Sequence, residues 1–325
     1  MGIGLVVISA AGYGSGSIIA APIYSTGVDW LTLVSWRFLI GAILGWLWVV
    51  ASPGRRAALR GMTRRQVAVA LALGALFVGN AGTYYASLET VPAALAGVVV
   101  YTYPVMVAVL SLRFASRLPG RRPWIAAGLA VAGSALALGG IDTATAPPAS
   151  GLVLVLASAV IYSVWIILSA RLSGERRDRL ASESTSDGSP AGDAAVTTTL
   201  MMSATAVVYA TAGFATERPL DPATVPSAAW PGILAVAFVA SFLAIQTFYA
   251  GARRIGATRA ALTATVEPLI IVVLAWLFLH QTLAPIQLIG AGLIVVAVVV
   301  AQTAPRPTGA PEPATPLEAE VGRPG

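Results

Sequence analysis

Ten stretches of about twenty apolar residues follow one another along this chain, near 2–23, 30–50, 66–88, 92–112, 123–140, 150–170, 194–214, 230–252, 256–279 and 283–302. A helix needs roughly 20 such residues to cross the ~30 Å hydrocarbon core of a bilayer. Within that core every backbone N–H and C=O must find its partner inside the protein, and a helix does this within one segment. Composition points the same way. Of the 325 residues 57% are hydrophobic and 10% charged, and the mean hydropathy is +0.81, whereas a soluble domain carries about 25% charge. The expected fold class is an all-α integral membrane protein with ten transmembrane helices.

The charge pattern orients these helices. The pI is near 10.1, and all twenty basic residues are Arg. Arginines 55, 56, 60, 64, 65, 113, 117, 121, 122, 171, 176, 177, 179, 253, 254 and 259 fall in alternate connections, and 306 and 323 in the C-terminal tail. The opposite connections hold only Arg218, and Arg37 lies within a span. The positive-inside bias then places both termini in the cytoplasm of a multi-pass protein of the cell inner (plasma) membrane. The basic balance therefore reports topology and not a nucleic-acid partner. There is no cysteine, which excludes disulfides and thiolate chemistry. No basic segment precedes the first apolar stretch, so it reads as a span and not as a cleavable signal. The Met-Gly start lacks the Ser or Thr of a myristoylation site. Residues 173–193 and 304–325 are polar and rich in Ser, Pro, Gly and charge, and read as a disordered cytoplasmic linker and tail.

The chain also resembles itself. "YASLETVPAALAGVVVYTYPVMVAVL" from Tyr85 aligns without gaps with "YAGARRIGATRAALTATVEPLIIVVL" from Tyr249, at an offset of 164. Pro123–Gly128 matches Pro285–Gly290, and Gly2, Ser9 and Tyr13 match Gly151, Ser158 and Tyr162. Each half, 1–142 and 150–303, would hold five helices. Five is odd, so the second half enters the membrane from the opposite side. That is an inverted-topology repeat, the architecture of many secondary transporters, with a midplane site exposed by rocking one half against the other.

The segments "VEPLIIVVLAWLFLHQTLAPIQLIGAGLIVVAVVV", "VPAALAGVVVYTYPVMVAVLSL" and "LVSWRFLIGAIL" resemble the repeated signature regions of the EamA family of the drug/metabolite transporter superfamily. The resemblance covers about residues 2–302. It implies a ten-helix carrier of small metabolites, commonly amino acids or related compounds, often moved outward. One departure stands out. The Gly-Glu that follows the fourth and ninth helices of the family is replaced by Ser116-Arg117 and His280-Gln281. A coupling role for that carboxylate is absent here or moved elsewhere.

Glu267 and Pro268 sit side by side within the ninth apolar stretch. Counted from Gly256, Glu267 lies roughly 16 Å in, where an ionised group costs at least a few kcal/mol. It is either a proton or substrate-ammonium site, or a protonated carboxyl bonded to a neighbouring helix. The repeat retains the proline (Pro104, Pro268) and exchanges the polar residue (Tyr103, Glu267), and both prolines read as kinks or hinges. Arg37 lies roughly 10 Å deep. It snorkels to the outer headgroups, pairs with Glu267, or binds a substrate carboxylate. Ser158, Tyr162, Trp165 and Ser169 share one face of the sixth helix, and Asn80, Thr83, Tyr84 and Ser87 one face of the third. Gln246 and Tyr249 share a face of the eighth, and Thr263 precedes Glu267 by one turn. The candidate substrate-binding set is Tyr13, Arg37, Asn80, Tyr84, Tyr101, Tyr162, Trp165, Gln246, Thr263 and Glu267, with Glu267 the proton-coupling candidate. For each polar side chain the alternative is interhelical packing, worth about 0.6 kcal/mol per bond. Gly12, Gly16 and Ala20 form a small-residue packing ridge, and His280 marks the outer end of the ninth helix.

Function follows from what these residues supply. A membrane-embedded enzyme needs clustered acid, base, nucleophile or metal ligands, and a sensor or scaffold needs an extramembrane domain. The sequence offers neither, nor a nucleotide-binding loop. The expectation is a secondary carrier that takes no cofactor and no metal. It exports small neutral or zwitterionic amphipathic metabolites such as amino acids. Its partners are substrate, bilayer and coupling protons, with a monomer or homodimer both open.

Overall fold

A computed structural model describes residues 2–103, 146–172, 193–216, 220–255, 263–264 and 266–302, with a few positions between 106 and 136. Most of the expected fifth span, Pro104, the first part of the ninth span, the linker up to Asp193 and the tail lie outside the described residues. The elements run α1 (Gly2–Tyr24), α2 (Trp30–Val50), α3 (Pro53–Gly61), α4 (Arg64–Ser87), α5 (Ala93–Val100), α6 (Ala149–Leu172) and α7 (Ala194–Ala215). Then come α8 (Trp230–Ala235, a π-helical segment Val236–Leu243, and Ala244–Ile255), α9 (Glu267–Leu279) and α10 (Pro285–Gln302). The described residues contain no strand. Among the described residues, five helical segments are long and apolar enough to span a bilayer: Gly2–Tyr24, Trp30–Val50, Arg64–Ser87, Ala195–Ala215 and Ser227–Phe248. Shorter apolar helices cover Ala149–Trp165, Glu267–Leu279 and Pro285–Ala297. The chain is an all-helical, multi-pass membrane protein, although ten full spans are not reached among the described residues.

Helix ends follow local chemistry. Asp29 caps α2, accepting from the Leu31 and Thr32 amides at 2.9 and 3.2 Å, and Asp193 caps α7 from Ala195 at 2.9 Å. Thr63 and Gln66 form a reciprocal capping box at the start of α4, which satisfies two orphan N–H groups at once. One element was not expected. The basic connection after α2 folds as α3, a short surface helix, with Pro53 in its first turn, where a missing N–H costs nothing.

The two halves interlock. α1 packs on α8 and α9, as its repeat counterpart α6 packs on α4 and α5. α2 meets α8 as α7 meets α4, while α2–α7 and α5–α9 pair each helix with its own counterpart. Exchanging the halves therefore maps this contact pattern onto itself. Arg55, just past the C-terminus of α2, approaches Asp193 at the N-terminus of α7 to 3.8 Å, so the counterparts α2 and α7 run antiparallel. Small residues permit the closest crossings. A Cβ at Gly12 would stand 3.0 Å from both the Ala244 Cβ and the Val239 carbonyl of α8, which gives the expected packing ridge of α1 its partner. The exposed apolar side chains, among them Leu47, Val207, Phe214, Trp276 and Phe278, are the surface a bilayer would solvate.

The fourth and ninth apolar stretches are not the continuous helices their hydropathy implies. α5 stops at Val100, Tyr101 and Thr102 form a turn, and helix resumes at Tyr103. In the second half Val266 lies in a turn and α9 starts at Glu267. The hydrogen bonds at the two turns correspond one for one. Thr102 N donates to Val99 O (3.1 Å) and Met106 N to Thr102 O (3.2 Å). At an offset of 164, Val266 N donates to Thr263 O (3.3 Å) and Ile270 N to Val266 O (3.1 Å). Pro268 thus occupies the first turn of a helix, not a kink within one. Its ring pre-sets φ there and its missing N–H would have had no intrahelical partner.

Candidate functional site

Glu267 opens α9, one helical turn before Ile271, which is 2% exposed and packs towards Gly14 of α1 and Gly97 of α5. The carboxylate therefore faces the bundle, away from the lipid-side residues Leu269, Val273 and Trp276, and stays half-buried there. It also lies at the positive end of the helix dipole, where an anion is favoured. Its partner comes from the other broken helix. The Tyr101 hydroxyl is 2.9 Å from Glu267 Oε2 and 3.1 Å from the Ala264 carbonyl, and Tyr101 itself is buried. One side chain thus joins the two helix breaks across the repeat.

An aromatic ladder leads away from this pair. Tyr101 meets Tyr103 edge-on at 5.5 Å, and Tyr103 meets Tyr162 of α6 at 4.7 Å. Tyr162 stacks on Trp165 at 5.8 Å, and Phe77 of α4 closes the group at 5.3 Å from Trp165. Tyr103, Tyr162, Trp165 and Phe77 are all half-buried. The ladder is built by α4, α6 and the segment that follows α5, and Ser163 of α6 holds that segment by donating to the Tyr103 carbonyl at 3.0 Å.

Arg37 belongs to a different neighbourhood. It is 8% exposed and does not pair with Glu267; among the described residues the ion pair is Arg55–Asp193. Its Nε donates to Ser241 Oγ at 2.7 Å, and its terminal nitrogen to the Ala240 carbonyl at 3.3 Å. Both acceptors lie in the π-helical segment of α8, where wider i→i+5 bonding distorts the carbonyl ladder. The guanidinium also sits 4.6 Å from the Tyr85 ring centre and 5.1 Å from that of Phe38. It neither snorkels outward nor points to an anion. It binds α2 to α8.

Other sequence candidates divide between the site and the scaffold. The Asn80 amide donates to the Ser158 carbonyl and hydroxyl at 3.1 and 2.9 Å, and Ser158 Oγ returns a bond to the Asn80 carbonyl at 3.1 Å. These two stripe residues therefore serve each other across α4 and α6. The Trp165 indole N–H donates to the Leu73 carbonyl at 2.8 Å. Thr83 bonds back to its own helix at Gly79. Tyr84 is half-buried against Tyr85, 5.7 Å between ring centres. Thr263 lies half-buried in the turn before Glu267. Tyr13 stands on α1 with 36% of its surface exposed. Gln246 is half-buried on α8, and its amide nitrogen has no solvent access and, among the described residues, no hydrogen-bond partner. Sequence reasoning missed Ser241 as the receiver of Arg37, because a serine in an apolar helix carries no signal of its partner. It also left Gln281 unassigned, whose side-chain oxygen accepts from Ala94 N at 3.3 Å and caps α5 from the other half. His280 ends α9 in the left-handed conformation, φ 53°.

Comparison with known proteins adds to this geometry. The model of the EamA-like transporter family matches the chain twice, over residues 1–139 and 149–303, one match to each half of the repeat. Among solved structures, the crystal structure of a protein 20% identical to the chain superposes with a TM-score of 0.59, covering 92% of this chain and 96% of that one. At that identity the likeness concerns the fold alone. Curated proteins provide no match.

Proposed function

The chain belongs to the EamA-like transporter family, whose members are membrane transporters of the drug/metabolite type, and from this and the site geometry we propose a proton-coupled secondary exporter. Its substrates are small neutral or zwitterionic amphipathic metabolites, amino acids being the type. One observation carries the proposal. A carboxylate in the bundle stands at the break of one repeat's helix and is held by a tyrosine from the matching break of the other. Discontinuous helices meeting at a repeat interface are where transporters of inverted architecture bind their solutes and coupling ions. Antiparallel α2 and α7 support the inversion. Rocking one half on the other would pull Tyr101 and Glu267 apart or press them together, which connects the protonation of Glu267 to the side on which the site opens. An enzyme reading has little support: among the described residues no three His, Cys, Asp or Glu groups cluster as a metal site would require.

We further propose, from the split of the loop arginines, that the protein lies in the cell inner membrane with both termini and the linker cytoplasmic. Reporter fusions at Ser182 and Ala144 should report opposite sides; the same side for both would end the inverted ten-helix reading. The coupling role is tested by flux in proteoliposomes with and without an imposed pH gradient. Glu267→Gln should abolish gradient-driven accumulation in a folded, monodisperse protein, and unchanged accumulation would remove the coupling role.

A further inference from the structure

Among the described residues, most long polar side chains that could receive a substrate's carboxylate are engaged by the scaffold. Arg37 is bonded to Ser241 and Ala240 and covered by two rings. The Asn80 amide is taken by Ser158, and the Trp165 indole N–H by Leu73. The Gln246 amide nitrogen has no partner but is sealed from solvent. What remains around the break of α9 accepts protons or presents π-electron density. Glu267 offers its carboxylate, Ala264 a carbonyl beside the helix break, and Tyr101, Tyr103, Tyr162 and Trp165 their rings.

Such a surface is complementary to a cation with an apolar or aromatic tail. A primary ammonium carries N–H donors for Glu267 and for the Ala264 carbonyl, in place of the one Tyr101 hydroxyl they share, and aromatic faces attract a positive charge within about 6 Å of the ring centre. An α-amino acid brings its carboxylate one carbon from the ammonium. Seated on Glu267, that second anion would face a like charge with no cationic side chain beside it among the described residues, in a medium where such repulsion is poorly screened.

Resting on the carrier reading above but replacing amino acids as its substrate type, we infer that the site reads the amine end of its solute and that its described residues hold no receptor for the carboxylate. Its preferred ligands are primary amines with aromatic or apolar tails, such as arylalkylamines and amino-acid amides, and the parent amino acids bind more weakly. The ladder from Tyr103 to Trp165 takes the tail, and Glu267 with the Ala264 carbonyl takes the head.

The experiment compares phenethylamine, L-phenylalanine amide and L-phenylalanine on the full-length chain in nanodiscs, by calorimetry and by the shift in unfolding temperature. Phenethylamine and the amide should bind at least tenfold more tightly than L-phenylalanine. Glu267→Gln should weaken both amines at least tenfold with the ligand-free Tm unchanged, and Glu267→Asp should restore part of the loss. Tyr162→Leu should weaken phenethylamine and leave butylamine as before, because only the tail has lost its surface. L-phenylalanine binding as tightly as its amide overturns the inference, as does the absence of amine binding, or amine binding indifferent to both Glu267 variants. Solute counterflow separates this from the carrier reading. Ligands that bind as described yet are not exchanged across the membrane remove the carrier and leave the amine site standing. Counterflow of L-phenylalanine without any amine binding does the reverse.

Discussion

Arg37 and Glu267 are both charged side chains within apolar helices, and the protein treats them oppositely. Arg37 is 8% exposed, donates two hydrogen bonds to one neighbouring helix and lies against two aromatic rings. Glu267 keeps accessible surface, and its side chain is held by Tyr101. A buried charge surrounded by partners is fixed in one geometry, and removing it leaves those partners unsatisfied. A charge with accessible surface and acceptor capacity left over can exchange its partner for water, a proton or a solute. Depth in the membrane is therefore a poor guide to function; what decides is whether the coordination of the group is complete.

The largest effect that could break this comparison is on folding. Arg37→Ala removes the Ser241 and Ala240 contacts and opens space beside Tyr85 and Phe38, and should cost about 3 kcal/mol or more, seen as a large fall in Tm or loss of monodisperse protein in detergent. Arg37→Lys keeps the charge but loses the planar fork and its stacking, and should fall between. Glu267→Gln keeps size and hydrogen-bonding capacity and should leave Tm nearly unchanged while abolishing gradient-driven flux. If Arg37→Ala were as stable as wild type and Glu267→Gln unfolded, the two roles would have to be exchanged.

A smaller effect sharpens the Glu267 side. Tyr101→Phe deletes the hydroxyl that joins the two breaks and keeps the ring. One hydrogen bond of this kind contributes about 1 kcal/mol, so Tm should drop by a few degrees at most. Gradient-driven flux should fall several-fold, because Glu267 loses the group that positions it. A Phe variant with normal flux would mean that the cross-repeat bond serves packing alone.

These outcomes also bear on how much of the molecule was legible in its sequence. The span 30–50 coincides with α2, and the run 194–214 misses α7 by one residue at its end, because hydropathy reports what a lipid-facing helix needs. The repeat was legible too, and the structure extends it to the capping aspartates Asp29 and Asp193, 164 residues apart, which the sequence reading had not paired. The ninth stretch misled. Its apolarity is continuous, yet Val266 lies in a turn and α9 starts at Glu267, since hydropathy measures side-chain transfer and is silent on where the backbone breaks. Pro268 was the available signal, and the first-turn preference of proline explains it better than a kink does. Glu267 was visible as a lone acid, but its bond to Tyr101 spans 166 residues of chain. The bond from Arg37 to Ser241 spans 204. No local pattern encodes partners at that distance.

The smallest expected effects come from an ion pair, Arg55–Asp193, which calibrates the two separate charges. Arg55 Nε lies 3.8 Å from Asp193 Oδ2, with both side chains more than a quarter exposed, and Arg55 also covers the Trp48 ring at 4.4 Å. Asp193 has a second task as the cap of α7. The two contributions separate by choice of substitution. Asp193→Asn removes the charge but keeps an oxygen that can accept from Ala195 N, whereas Asp193→Ala removes both. A partly exposed ion pair is worth about 0–1 kcal/mol, so the Asn variant should lose no more than a few tenths. Loss of a cap costs about 1 kcal/mol, so the Ala variant should lose clearly more, close to the loss from Asp29→Ala at the matching end of α2. Arg55→Ala should resemble Asp193→Asn, with a small addition for the lost contact to Trp48. Thermal unfolding of the four variants in one detergent gives the order. If Asp193→Asn were as costly as Asp193→Ala, an exposed charge would be contributing as much as a cap. Exposure would then no longer separate the charges that hold this protein together from those left free to act, and the reading of Glu267 would need support from transport measurements alone.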